Sequence, residues 1–242
     1  MQKNMVWIAV GALALALFAL GGAWLLMGPM GVADFAVGLA SARLPACSED
    51  QTGKTASRTI AWDGSEMAAT ALPAMLHWQP GSSESMQITG DAALLPHIKL
   101  EAGEIKLDCR PGRLQSKLDI TLPGAHRFRS FALAGVTSLS LSDVDQPDLH
   151  FDLAGSSTVT ANGRADTIQI NAAGLSDAKL GKVAAKVVHL NLAGASKVEV
   201  APEDRLSVNS AGATTVTLRR EPRSLTTNIM GEGRVIHNEE QQ

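Results

Sequence analysis

The sequence predicts an all-β protein whose main body is a parallel β-solenoid of about six coils over residues 128–240. Three observations carry this. First, one phrase recurs: Phe-Ala-Leu-Ala-Gly135, Phe-Asp-Leu-Ala-Gly155, Ile-Asn-Ala-Ala-Gly174, Leu-Asn-Leu-Ala-Gly194, Val-Asn-Ser-Ala-Gly212 and Thr-Asn-Ile-Met-Gly231, with glycines 20, 19, 20, 18 and 19 residues apart. Second, the residues six, four and two before each glycine are mostly apolar and those between them polar, the period of two expected of a strand with one buried face. Third, the column three before glycine reads Asp152, Asn171, Asn191, Asn209 and Asn228. Asn side chains at the spacing of neighbouring strands, about 4.8 Å, are placed to hydrogen-bond as a ladder.

Two short strands and two turns fit one repeat, and an α-helix does not. The strand after each glycine has its inward positions at Leu139/Leu141, Val159/Ala161, Ala178/Leu180, Val198/Val200, Val216/Leu218 and Val235/His237. The column two after glycine (Thr137, Ser157, Ser176, Ser196, Thr214) reads as a second, outward hydroxyl ladder. The glycines Gly135, Gly155, Gly174, Gly194, Gly212 and Gly231 suit a corner that needs positive φ or close approach of the next strand.

The preceding elements follow in order. Residues 1–4 read as a cytoplasmic stub. Met5–Met27 carries no charge and, at 1.5 Å per residue, would span roughly 34 Å, which is enough to cross a bilayer as one transmembrane helix. Lys3 before it and the absence of a basic residue until Arg43 orient the N-terminus inward. The expected location is the bacterial inner membrane, single-pass, with the C-terminal part periplasmic or extracytoplasmic. A cleaved signal peptide, with Ala40-Ser41-Ala42 as the cleavage site, is the competing reading. A lipoprotein cleavage box at Leu44–Cys47 is a weaker one. Residues 28–57 read as a stalk.

Cys47 and Cys109 are the two cysteines, both beyond the apolar run. A pair in an oxidising compartment suggests a disulfide, worth about 4 kcal/mol in the chain-entropy account; two free thiols remain the alternative. Residues 58–127 show strand patterns at Arg58–Trp62, Ala74–Trp78, Ser85–Thr89, Ile98–Glu101, Glu104–Asp108 and Lys117–Leu122, each followed by a turn signal. They are expected to form a small antiparallel β region that caps the first coil.

Several of these segments together resemble the GIN-domain family of auto-transporter adhesin head domains. They are the run from Trp78 to Ile88, the segment Leu94–Leu107, Leu118–Pro123 and the glycine phrases. The resemblance spans roughly residues 58–238. It implies a right-handed parallel β-helix exported to the envelope and no carried-over catalytic residues.

Composition narrows the function. A net charge of −3 gives no case for nucleic acid, and 4% aromatic residues with no Tyr disfavours aromatic stacking platforms. The densest polar stretch, Ser142 to Asp152, holds Asp143, Asp145, Asp148 and Asp152. These are the candidate ligand-binding residues: their oxygens suit Ca²⁺, with Lys179, Lys186 or Arg219 available as a base in a lyase-like reaction. The bland reading is a solvated turn. His150 and His189 share an outward column with Gln169 between them, about 9.6 Å apart, too far for one metal without both rings leaning. No metal or other cofactor is expected. The expected role is a non-enzymatic scaffold or adhesion module, held to the lipid bilayer through residues 5–27 and facing an envelope glycan or protein. A carbohydrate-active enzyme built on the acidic loop is the alternative.

Overall fold

The computed structural model describes residues 44–47, 53–111 and 117–237. The expected stub (1–4), transmembrane segment (5–27) and most of the stalk (28–57) lie outside the described residues. Among those described, no helix is long and apolar enough to cross a membrane.

Leu44–Gln242 forms one compact unit. Its strands are β1 (Thr55–Ala61), β2 (Met67–Thr70), β3 (Ala74–Trp78), β4 (Ser85–Asp91), β5 (Ile98–Glu101), β6 (Glu104–Leu107), β7 (Leu118–Thr121), β8 (Ser130–Leu133), β9 (Thr137–Gly212), β10 (Thr215–Leu218), β11 (Ser224–Met230) and β12 (Arg234–His237). One short 3₁₀ turn, Leu95–His97, precedes β5. All twelve strands belong to one sheet. Its main path runs β1-β4-β7-β3-β9-β8-β2-β6-β5, with β10 and β11 added on β9 and β12 on β10.

This corrects the expected fold class. The chain is all-β with a nearly closed, barrel-like sheet around one core, and is not a parallel β-helix of six two-strand coils under an antiparallel cap. Two findings overturn the expectation. Residues 137–212 run as one unbroken extended element of 76 residues rather than as strands separated by turns. Residues 58–127 are woven into the same sheet. β2 pairs in parallel with β6 and β8, and β3 in parallel with β7 and β9; only β1–β4, β4–β7 and β5–β6 are antiparallel.

Locally, the residue pattern sets which side chains face inward. The glycine-aligned columns coincide with the observed parallel registers: Val198 lies beside Val216 and Val216 beside Val235, while Leu206 lies beside Leu225 and Phe131 beside Phe151. Phe151, Ile170, Leu190 and Val208 are all buried, as are Leu139, Val159, Ala178 and Val198. A third inward segment per repeat was not anticipated. Val144 and Gln146, then Ala165, then Val183 and Ala185 are buried where turns were expected. The spacing of Val183 and Ala185 is again two, so short apolar alternation continues through the supposed turns.

At Gly174 the backbone holds φ at +108°, and a Cβ there would stand 2.7 Å from the carbonyl oxygen of Gly155. The glycine column is therefore a line of backbones in direct contact, which no other residue allows without displacement.

Two columns depart from expectation. Thr137, Ser157, Ser176, Ser196 and Thr214 are buried, so the hydroxyl column faces the core. They sit two residues before Leu139, Val159, Ala178, Val198 and Val216, and the period of two turns both sets the same way. Arg129, in the first inward column, is exposed and pairs with Glu66 at 3.2 Å, while Phe128 enters the core instead.

Candidate functional site

The outward face of the repeats carries two organised polar systems. The first is a chain of side-chain hydrogen bonds. Asn209 Nδ2 donates to Asn191 Oδ1 at 3.1 Å, Asn191 Nδ2 to Asn171 Oδ1 at 2.9 Å, and Asn171 Nδ2 to Asp152 Oδ1 at 2.8 Å. His150 Nε2 meets the other Asp152 oxygen at 2.9 Å. Every amide points the same way, so the dipoles align and the chain ends on a carboxylate. Burial alone would push the Asp152 carboxyl up, but the hydrogen bonds from His150 and Asn171 outweigh it and hold it below the usual carboxylate range. Asn228 lies beside Asn209 in register and is exposed.

The second system is a charged groove of about 550 Å³. Its charged walls are Arg127, Asp145, Arg164, Asp166, Lys186 and Glu203, three cations and three anions. Arg164 donates from Nε and Nη2 to the two oxygens of Asp145 at 2.7 and 2.9 Å, a bidentate pair. The hydrogen bond from Arg164 holds the Asp145 carboxyl below its ordinary value and raises the guanidinium in turn. Lys186 Nζ lies 2.7 Å from Asp166, which raises the lysine. The pattern continues at the groove's end in Glu203–Arg220 and beyond it in Glu199–Arg219 at 2.9 Å and Asp204–Arg223 at 3.0 Å. In each pair the acid belongs to one repeat and the base to the next.

The four candidate ligand residues do not form one cluster. Asp145 is taken by Arg164, and Asp152 by His150 and Asn171. Asp143 has a positive φ of 53°, and its backbone N–H donates to Asn162 Oδ1 at 2.8 Å; Asp148 is exposed. Lys179 pairs with Asp177, and Lys186 shares the groove with Asp145 but pairs with Asp166. One group of metal-ligating residues does converge among the described residues: His97, Asp108 and Cys109 bring ligand atoms within 4.8 Å of one another. The Cys109 sulfur, however, is bonded to Cys47, and the Asp108 carboxylate is held by His97 at 2.9 Å and Lys99 at 3.2 Å.

Sequence reasoning missed Arg127, Arg164, Asp166 and Glu203. The signal was present. Aligned on the glycines, position −10 reads Asp145, Arg164, Ala184 and position −8 reads Pro147, Asp166, Lys186, Asp204. An acid followed by a base one repeat later is a cross-strand ion pair once neighbouring strands are parallel and in register.

The family described as "Putative auto-transporter adhesin, head GIN domain" matches residues 74–222. The chain belongs to that family. Among solved structures it is similar to a putative adhesin from Bacteroides fragilis, with 12% identity and a TM-score of 0.57, covering 78% of this chain and 100% of that one. It is also similar to a putative lipid binding protein from Parabacteroides distasonis, with 14% identity, a TM-score of 0.49 and coverage of 79% and 99%. A third similar structure is a putative adhesin from Parabacteroides merdae, with 12% identity, a TM-score of 0.43 and coverage of 79% and 99%. No curated protein matches the chain.

Proposed function

We propose that the protein is a non-catalytic binding module of the bacterial envelope, held in the inner membrane by residues 5–27 and presenting its sheet on the extracytoplasmic side. The single observation that carries the reading is the groove between Asp145 and Lys186. Consecutive repeats line it with fixed, alternating charges, which suits recognition of a polar partner rather than bond-making. Membership of the adhesin-head family supports the same class of function. The Cys47–Cys109 bond supports an oxidising compartment.

The partner class that fits alternating cations and anions is an envelope glycan or protein with charges of both signs, such as peptidoglycan with its peptide stems. Vesicles carrying the full chain should co-sediment with purified peptidoglycan sacculi, and protein-free vesicles should not. Arg164→Ala/Lys186→Ala should weaken that binding about tenfold, corresponding to about 1.4 kcal/mol. Equal binding by the native chain and the variant removes the groove from the function. Release of soluble sugar fragments from the sacculi would overturn the non-catalytic reading itself.

A further inference from the structure

The strands at the two ends of the sheet differ in how they treat their free edges. β5 is four residues long, pairs among the described residues only with β6, and carries Lys99 and Glu101, which form ion pairs with Asp108 and Lys106. β1 carries Arg58, whose guanidinium bonds to the carbonyls of Leu95 and Ile98 at 2.6 and 3.1 Å. Short strands and charges of this kind discourage pairing with another chain. β11 has neither device. It is seven residues long, Ser-Leu-Thr-Thr-Asn-Ile-Met, without a charge, and among the described residues it pairs on one side only, with β9.

The core is also open there. Leu206, Val208 and Val216 are buried, but their register neighbours Leu225 and Thr227 are exposed and Val235 is half-buried. Of the six large apolar residues exposed among those described, three belong to this last repeat: Leu225 at 44%, Met230 at 60% and Ile236 at 41%. The inward columns continue into β11 with nothing over them among the described residues.

We infer that β11 is a self-association edge, at which two copies of this chain join by antiparallel pairing of residues 224–230 about a two-fold axis through Thr227. The occupant follows from the strand's own sequence. In that register Leu225 of one copy faces Ile229 of the other, twice, and Thr227 faces itself. Arg223, which is 85% exposed and pairs with Asp204 of its own copy at 3.0 Å, comes opposite Gly231 of the second copy, next to its Glu232, so that on each side of the seven uncharged residues one guanidinium stands between an acid of either copy. The exposed Leu225 side chains then enter a core that continues from one copy into the other. This pairing is independent of the groove at Asp145–Lys186, so the groove can fail its test while the edge stands.

The test uses the full chain in detergent micelles. Density-matched sedimentation should report a dimer. Thr227→Cys should cross-link to itself with a short bismaleimide, since the native cysteines are joined to each other. Leu225→Cys mixed with Ile229→Cys should cross-link as a heterologous pair, whereas Leu225→Cys alone should not. Thr226→Lys/Asn228→Lys places four like charges around the axis on exposed side chains. It should weaken association at least about tenfold with an unchanged far-ultraviolet spectrum. A monomeric native chain, a dimer that survives the double lysine variant, or a dimer in which Thr227→Cys fails to cross-link would each overturn the inference. Cross-linking of Leu225→Cys to itself would do the same, because it requires another register.

Discussion

From Trp62 to Phe151 the core is aromatic, whereas after Phe151 the sequence holds no Phe, Trp or Tyr. In the first region Phe128 sits edge-on to Trp62 at 5.1 Å and to Trp78 at 6.5 Å, tilted against Phe131 at 5.8 Å, with Phe131 stacked on Phe151 at 5.7 Å. The indole N–H of Trp62 reaches the Ser65 carbonyl, and that of Trp78 reaches those of Pro123 and His126. In the second region the inward side chains are Ala, Val, Leu, Ile and hydroxyls, repeated in register. The difference follows from strand order. Strands of the first region come from distant parts of the chain and meet both parallel and antiparallel neighbours, so their gaps are irregular and large rings fill them. Strands of the second region meet copies of themselves. One small side chain that packs against its own kind then serves every repeat, and polar columns can bond to themselves as well.

The sharpest way to break this comparison is to remove the ring at the centre of the first region. Phe128→Ala should destabilise the fold by about 3–5 kcal/mol, because the site is walled by three other aromatic rings that cannot collapse onto the space. Ile170→Val in the repeated region should cost only about 0.5–1.5 kcal/mol. Both are read from denaturant unfolding of the full chain in detergent. Comparable losses in the two variants would mean that the aromatic cluster is no more rigid than the repeats.

The same contrast explains what was legible in the sequence. Where strands meet copies of themselves, alignment on the glycines reproduces the neighbours: Val198 beside Val216, Asn209 beside Asn228, Leu206 beside Leu225. The period of two supplies which face is inside. What such alignment does not carry is closure. Nothing in the columns distinguishes a pile of separate coils from one continuous sheet that curls on itself, since both demand the same local alternation. β2 was missed because Met-Ala-Ala-Thr has no contrast between its faces, yet it supplies the parallel partner of β8. Ser and Thr are usually exposed, which favours an outward hydroxyl column, although its spacing from Val159 and Ala178 turns it inward. The acidic loop drew attention as a cluster along the chain. Across the strands its members have separate partners, Arg164 for Asp145 and Asn171 for Asp152.

A smaller effect probes the outward polar chain. Asn171→Ala deletes both the donor to Asp152 and the acceptor for Asn191, at a position that is 8% exposed. Leaving those partners unsatisfied should cost about 1–3 kcal/mol at neutral pH. The acid limb should change too. The Asp152 carboxyl lies below its ordinary value in the folded chain, so its contribution is present above the unfolded pKa of about 3.9 and is lost as pH falls through the lower folded value. Without the Asn171 donor that depression shrinks, and stability should fall less steeply between about pH 4 and the folded value. An acid limb as steep as that of the native chain would mean that His150, rather than the amide chain, holds the carboxylate.

The smallest effect separates the inward hydroxyls from one another. Ser157 Oγ donates to the carbonyl of Ala154 at 3.1 Å, with the Leu133 carbonyl at 3.4 Å, and Thr137 makes the equivalent bond to Ala134 at 2.8 Å. Ser176 and Ser196, the next two members of the same column, have buried hydroxyls with no protein partner among the described residues. A buried hydroxyl that makes no bond costs its desolvation and returns nothing, and alanine removes that cost while leaving only a small void. Ser176→Ala and Ser196→Ala should therefore leave stability unchanged or raise it by up to about 1 kcal/mol, whereas Ser157→Ala should lower it by about 1 kcal/mol. Thermal melts of the three variants side by side decide the matter. A loss in Ser176→Ala equal to that in Ser157→Ala would show that the hydroxyl column is satisfied along its whole length, and that the repeated core depends on polar contacts as uniformly as it does on apolar ones.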